Sequence, residues 1–165
     1  MICFVTVGST KFDALIDQLG KEHVLEALSK MGVDKLVIQH GTSNYTCTKE
    51  DAIRHSIKLE TYDYDTSLAE DMKKADFVIA HGGAGTIIDC LTLKKPFVVV
   101  ENETLMDRHQ NELAEKIAQL DGCYFTTPKE LVNVLNKKIF DLQSKIVQVP
   151  EGSFEKRIRL MMMLD

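Results

Sequence analysis

The stretch Phe77-Val78-Ile79-Ala80-His81-Gly82-Gly83-Ala84-Gly85-Thr86-Ile87-Ile88-Asp89 constrains the fold more than any other part of the chain. An apolar run with β-branched members breaks into glycines and resumes at once with apolar residues at helical spacing. That is the pattern of a buried strand, a tight turn and a helix start. Gly82, Gly83 and Gly85 admit backbone approaches that a side chain blocks, and the Thr86 hydroxyl stands beside the unpaired amides of a helix N-terminus, so the turn suits a phosphate. Taken alone, the same residues also serve as a strand-to-helix connection with no ligand.

The unit recurs at the start of the chain. Ile2 to Val7 is apolar and β-branched, Gly8-Ser9-Thr10 follows, and Phe12, Leu15, Ile16 and Leu19 fall on one helical face. Ser9 or Thr10 is placed to cap that helix, and with its exposed amides the turn makes a second anion site; capping alone accounts equally well for these residues. Gly20 interrupts the helix, and a second face of Val24, Leu25, Leu28 and Met31 stops at Gly32, a favourable C-terminal residue. Leu36 to His40 reads as a strand ending at Gly41.

Residues 42–55 are polar and read as a loop. They include the sequon Asn44-Tyr45-Thr46, which counts for little as a modification site in a chain expected to stay in the cytosol. Ile57 to Tyr62 alternates like a short strand, Ser67 to Lys74 gives a helix, and Thr86 to Leu93 gives another after the central strand. Phe97 to Val100 is a fully apolar strand. A polar loop, Glu101 to Arg108, leads to His109-Gln110-Asn111; Leu113, Ile117 and Leu120 then mark a helix closed by Asp121-Gly122. Cys123 to Thr126 is a last strand, and Thr127-Pro128 starts the helix carrying Leu131, Val132 and Leu135.

Strands alternating with helices predict an α/β fold over residues 1–150, a doubly wound Rossmann-like parallel sheet whose ligands sit beyond the strand C-terminal ends. The loops at Gly8, Gly41, Gly82 and Glu101 would then share one edge of the sheet. Residues 151–165 read as a C-terminal helical extension. Ser153 is placed to cap it, and Phe154, Ile158, Met161, Met162 and Leu164 are more apolar than a free tail needs, which suits packing on the chain's own sheet or docking on a partner.

With 165 residues the chain fits one domain. A formal net charge of -5 with no dense basic stripe argues against a general nucleic-acid binder. Cys3, Cys47, Cys90 and Cys123 are scattered without a CxxC pair, which predicts buried reduced thiols and a cytosolic or nuclear compartment. The N-terminal residues lack the basic start of a signal peptide, and no run approaches the ~18 apolar residues of a membrane span. Membrane association would have to come from another molecule.

Three ordered motifs carry a family resemblance: His81 to Asp89, then Lys95-Pro96-Phe97-Val98-Val99-Val100, then Leu105-Met106-Asp107-Arg108-His109-Gln110-Asn111. Together they resemble the C-terminal, sugar-nucleotide-binding half of GT-B glycosyltransferases of family 28. More closely, they are similar to the asparagine-linked glycosylation protein thirteen family, the catalytic subunits of the eukaryotic transferase that adds N-acetylglucosamine (GlcNAc) during dolichol-linked oligosaccharide synthesis. Phe4 to Thr10 and Ile38-Gln39-His40-Gly41 fit the same family, so the resemblance covers most of the chain.

The resemblance implies a single GT-B half-domain that binds UDP-GlcNAc as donor substrate and needs no cofactor. Gly8, Ser9 and Thr10 with Gly82, Gly83, Ala84, Gly85 and Thr86 would face the diphosphate. Asp89 stands where related bacterial transferases carry a glutamate on the ribose hydroxyls, one methylene longer. His109, Gln110 and Asn111 match the segment contacting the sugar or the phosphates. His81 is the catalytic candidate, as a helper at the turn.

The implied reaction inverts the anomeric centre without a metal, in keeping with the lack of an HExxH or clustered Cys/His pattern, and passes the sugar to a lipid-linked GlcNAc acceptor. The implied partner is the membrane-anchored protein fourteen of the same pathway. It would recruit the chain to the cytosolic face of the endoplasmic reticulum, with Phe154, Ile158, Met161 and Met162 as the docking face. A non-catalytic nucleotide-binding or regulatory module of the same fold, and a self-sufficient flavodoxin-like enzyme, are the competing readings.

Overall fold

The computed structural model describes residues 1–44, 47–64, 68–103, 116, 118–120, 122–137 and 156. Six strands form one parallel sheet in the order β3-β2-β1-β4-β5-β6: β1 Ile2–Thr6, β2 Lys35–Gln39, β3 Lys58–Tyr62, β4 Phe77–His81, β5 Phe97–Val100 and β6 Cys123–Thr126. The helices are α1 Asp13–Leu19, α2 Glu22–Lys30, α3 Lys49–Arg54, α4 Leu68–Lys74, α5 Ala84–Thr92 and α6 Leu131–Lys137.

A parallel sheet is covered on both faces, so its strands are apolar almost throughout, and successive side chains divide between two cores. Cys3, Val5, Ile79 and Val98 meet Leu15, Ile16 and Leu19 of α1, Val24 and Leu28 of α2 and Leu135 of α6. Phe4, Val78, Ala80 and Val99 meet Met72 of α4 and Ile87, Cys90 and Leu91 of α5. The expected double winding is therefore present. All four cysteines are free and buried; burial pushes the Cys3 and Cys90 thiols far up and Cys47 up to about 11. Among the described residues no helix is long and apolar enough to cross a membrane.

The structure differs from the sequence reading in one additional helix and at several helix ends. The polar segment 42–55 contains α3, nucleated by a capping box in which Thr48 and Asp51 bond each other's backbone amides. Ala52 is its buried residue, so no apolar periodicity announces the helix. Helix α1 begins at Asp13, with Phe12 at the cap position and no side-chain cap bond, so neither Ser9 nor Thr10 caps it. Instead the buried Ser43 Oγ, from the loop after β2, accepts from the Phe12 amide at 2.7 Å. Helix α5 begins at Ala84, two residues before Thr86, and α6 at Leu131, after a turn at Pro128 to Glu130. The expected helices around Leu113 to Leu120 and Phe154 to Leu164 lie largely outside the described residues.

Three helices close with the same C-terminal pattern. Gly32, Ser56 and Lys94 have φ of 85°, 61° and 54° and follow α2, α3 and α5. In each case the next residue donates back across the last turn: Val33 to Leu28, Ile57 to Ala52 and Lys95 to Cys90, all at 3.0 Å. This Schellman closure favours glycine, because a Cβ in the left-handed region costs ~1–2 kcal/mol. Ser56→Gly and Lys94→Gly are each expected to stabilise the fold by about 0.5–1 kcal/mol after the added entropy of the unfolded glycine is subtracted. Urea unfolding reads this directly; an unchanged midpoint in both variants would show that the left-handed turns carry no strain.

The turn after α5 also ties that helix to α4, its neighbour on the same face of the sheet. Lys95 Nζ donates to the Lys73 and Ala75 carbonyls at 2.9 and 2.6 Å, satisfying acceptors that the end of α4 leaves open.

Candidate functional site

The strand order reverses direction between β1 and β4. The chain leaves β1 toward the face of α1 and leaves β4 toward the face of α5, which opens a crevice at the C-terminal ends of these two strands. Both glycine turns singled out in the sequence border it. Gly8 follows β1 with φ 59°, and the turn closes with Thr10 N donating to Val7 O at 3.1 Å. Ser9 is its exposed residue.

Gly82 and Gly83 follow β4, and Gly83 is the residue before α5, with φ -70° and ψ 126°. No side chain caps this helix, and its first turn contains no acidic residue, so the amides at its start are open to an external acceptor.

The three glycines around α5 differ in why they are glycine. A Cβ on Gly82 would meet Val99 Cγ1 at 3.9 Å, an ordinary contact, and one on Gly85 would meet nothing within 4 Å. A Cβ on Gly83 would sit 2.2 Å from His81 Nε2. A Cβ on Gly8 would sit 3.0 Å from Cε1 of the same ring. The Cε1–Nε2 edge of the His81 imidazole thus touches both turns and limits how closely they approach it. Burial lowers its pKa from the ordinary 6.5, while hydrogen bonding to the Thr6 backbone pulls more weakly the other way. The ring is neutral at pH 7.

Asp89 lies one helical turn beyond Gly85. Both are exposed, and their i, i+4 spacing places them on one face of α5. Gly8, Ser9, Thr10, Gly82, Gly83, Ala84, Gly85, Thr86 and His81 therefore gather at the ends of β1 and β4, with Asp89 one turn further along α5. His109, Gln110 and Asn111, and the predicted docking residues Phe154, Ile158, Met161 and Met162, lie outside the described residues. Among the described residues no cluster of three or more His, Cys, Asp or Glu side chains has a metal-holding arrangement.

The loop after β2 holds the β1 turn, a role the sequence reading did not assign. Gly41, φ 55°, packs so closely that a Cβ would lie 3.0 Å from Gly8 O, and the Asn44 amide donates to Asp13 Oδ1 at 2.7 Å. The buried Gln39 side chain bonds both the N–H and the carbonyl of Gly8. The signal available in the sequence was a lone amide side chain at the end of an otherwise apolar strand.

Residues 2–157 match the family model of the glycosyltransferase family 28 C-terminal domain. The UDP-N-acetylglucosamine transferase subunit ALG13 of Homo sapiens is 40% identical over 128 residues, covering 78% of this chain and 11% of the human protein. The ALG13 subunit of Candida glabrata is 31% identical over 160 residues, covering 78% of this chain and 81% of that protein. An NMR solution structure of ALG13 superposes with a TM-score of 0.70 at 25% identity, over 97% of this chain and 94% of that one. The chain thus spans nearly all of some relatives and about a tenth of the human and mouse ones, 11% in each case.

Proposed function

Because the chain belongs to glycosyltransferase family 28, as its C-terminal domain and alongside the ALG13 subunits, we propose that it is the donor-binding catalytic subunit of a UDP-GlcNAc:GlcNAc-diphosphodolichol N-acetylglucosaminyltransferase. The observation that carries this reading is the pair of glycine turns facing one crevice, with the uncapped N-terminus of α5 on one side and the Ser9-Thr10 turn on the other. Transfer of the sugar leaves a UDP whose diphosphate gains negative charge in the transition state. Amides fixed at a helix start stabilise that charge without a metal and without reorganising.

In this reading the diphosphate lies over Gly82 to Thr86, facing Ser9 and Thr10. Asp89, one turn along α5, takes the ribose hydroxyls, and His109, Gln110 and Asn111 take the sugar or phosphate oxygens. His81 acts as a helper in contact with both turns: its Nε2 edge abuts Gly83, so the acceptor proton goes to a base on the other half of the enzyme. That half, and the hold on the cytosolic face of the endoplasmic reticulum, come from the membrane-anchored protein fourteen. Phe154, Ile158, Met161 and Met162 dock there. The reaction inverts the anomeric centre.

Gly85→Ala gives the sharpest test. A Cβ there meets nothing within 4 Å, and alanine in the first turn of α5 is at least as good a helix former as glycine. With the partner subunit present, the variant is expected to be at least as stable as wild type yet to need about tenfold more UDP-GlcNAc for half-maximal transfer, as its methyl group fills space the diphosphate uses. An unchanged KM would remove the donor from the start of α5. A wild-type complex that transfers nothing would favour a nucleotide-binding module instead.

A further inference from the structure

We propose that Gln39 is a positioning residue for donor binding, whose carboxamide fixes the shape of the turn after β1; the role in binding rests on the donor reading above. Gln39 ends β2, in register with Thr6 of β1 on one side and Tyr62 of β3 on the other, and its side chain is fully buried. Its Oε1 accepts from Thr6 Oγ1 at 2.6 Å, from Gly8 N at 2.9 Å and from Val7 N at 3.2 Å. Its Nε2 donates to Gly8 O at 2.8 Å and to Asp63 O at 2.7 Å. One side chain therefore grips Gly8 by both its donor and its acceptor, as a neighbouring strand's peptide group would.

Two consequences follow for the crevice. The Gly8 N–H is taken up inside the protein, so the turn meets a ligand through Ser9 and Thr10, and their placement depends on how Gly8 is held. The second Nε2 bond, together with Gly41 N donating to Asp63 O at 2.9 Å and His40 N donating to Tyr62 O at 3.0 Å, locks the ends of β1, β2 and β3 into one block. The block presents the Ser9-Thr10 turn to α5 beside the His81 ring edge.

The chemistry requires an amide. A carboxylate would accept the three bonds at Oε1 but could not donate to the Gly8 and Asp63 carbonyls, and an apolar side chain would leave buried donors and acceptors unpaired on both turns. Burying a glutamine in a strand otherwise made of Leu36, Val37 and Ile38 is unfavourable unless the amide is saturated in this way.

The test uses the full chain with its partner subunit and compares Gln39→Leu, Gln39→Glu and Ser29→Ala. Ser29 bonds the His55 carbonyl from α2 at 2.9 Å and lies away from the crevice, so it reports loss of stability alone. Gln39→Leu is expected to raise the KM for UDP-GlcNAc by about tenfold or more, with the KM for the lipid-linked acceptor unchanged and amide hydrogen exchange at Gly8 accelerated. Gln39→Glu is expected to regain part of its donor affinity as pH falls from 8 to 6, because burial raises the carboxyl pKa and the protonated form can donate to one of the two carbonyls. Wild type lacks that recovery.

Unchanged Gly8 exchange in Gln39→Leu would overturn the clamp itself. Accelerated exchange with an unchanged donor KM, or an equal KM rise in Ser29→Ala, would overturn its role in binding. A wild-type complex that neither binds nor uses UDP-GlcNAc, with Gly8 exchange still dependent on Gln39, would instead overturn the donor reading.

Discussion

Gly83→Ala is expected to reduce kcat/KM for UDP-GlcNAc by on the order of 100-fold and to destabilise the fold by about 1–3 kcal/mol through overpacking. Nothing in the backbone asks for glycine at this position, since φ -70° and ψ 126° are open to any residue. The demand comes from His81 Nε2, 2.2 Å from where the methyl carbon would sit. The ring that would have to move also packs against the β1 turn, since a Cβ on Gly8 would lie 3.0 Å from its Cε1.

The strain has to appear as a shift of the α5 start, a shift of the β1 turn, or both, and each displaces groups that the proposed function assigns to the diphosphate. Pairing the substitution with His81→Ala is expected to return a large part of the lost stability, because the smaller side chain makes room, but not the activity. Wild-type kinetics in Gly83→Ala, or strict additivity of the two stability changes, would show that the contact between ring and turns is not rigid.

His81→Ala alone is expected to cost about 2 kcal/mol at pH 7, since it leaves a space between the turns, and to lower transfer by on the order of 100-fold. Its acid behaviour separates it from other destabilising changes. In wild type the folded-state pKa of His81 lies below the ordinary 6.5, so at pH values just under 6.5 the unfolded chain binds a proton that the native ring refuses. Stability is therefore complete above pH 6.5 and falls as pH drops from there toward the folded-state pKa.

The carboxylates act in a separate, lower window. Glu26 and Glu60 are lowered from 4.5 by hydrogen bonds to Lys30 and to Lys35 and Lys58; Asp34 and Asp51 are lowered from 3.8 by hydrogen bonds to the N-terminus and to Thr48. Their contributions are lost only as pH falls below those values. Urea midpoints from pH 7 to pH 5 are thus expected to fall more steeply for wild type than for His81→Ala. Parallel curves over that range would show that the imidazole is solvated.

The strands were legible because a parallel strand buried on both faces has no polar residue to confuse it, as in Phe97 to Val100. The site's outline was legible for a related reason: Gly8 and the Gly82 to Gly85 run interrupt such strands where the fold places ligands. What the sequence left open is which glycine is required and why. Gly82, Gly83 and Gly85 look alike as letters, and only the position of the His81 ring separates them.

Gln39 stayed silent because its bonds reach across β1 and β3, and strand register has no local signature. Helix α3 was missed because it buries Ala52 and exposes its one large apolar residue, Ile53, so no apolar face repeats along it. The cap expected of Ser9 or Thr10 failed because α1 starts later, where Ser43 from another loop bonds the Phe12 amide. Asp89, by contrast, was placed correctly on the helix after β4, whereas Gly85 was read as part of the turn and belongs to α5.

The central pairing of β1 with β4 also fixes the order in which the protein can be made. The Ile2 amide donates to Asp76 Oδ2 at 2.6 Å across 74 positions of chain. On the ribosome, β1, β2 and β3 can associate well before β4 emerges, and until then β1 carries an open edge beside Phe4 and Val5, a template for wrong partners. Closing so distant a contact is intrinsically slow. The crevice does not exist before that closure, since one of its walls arrives with each half of the sheet. Any ligand held there binds only completed molecules and draws them out of the aggregation-prone pool by mass action, so the proposed donor function would couple ligand supply to folding yield.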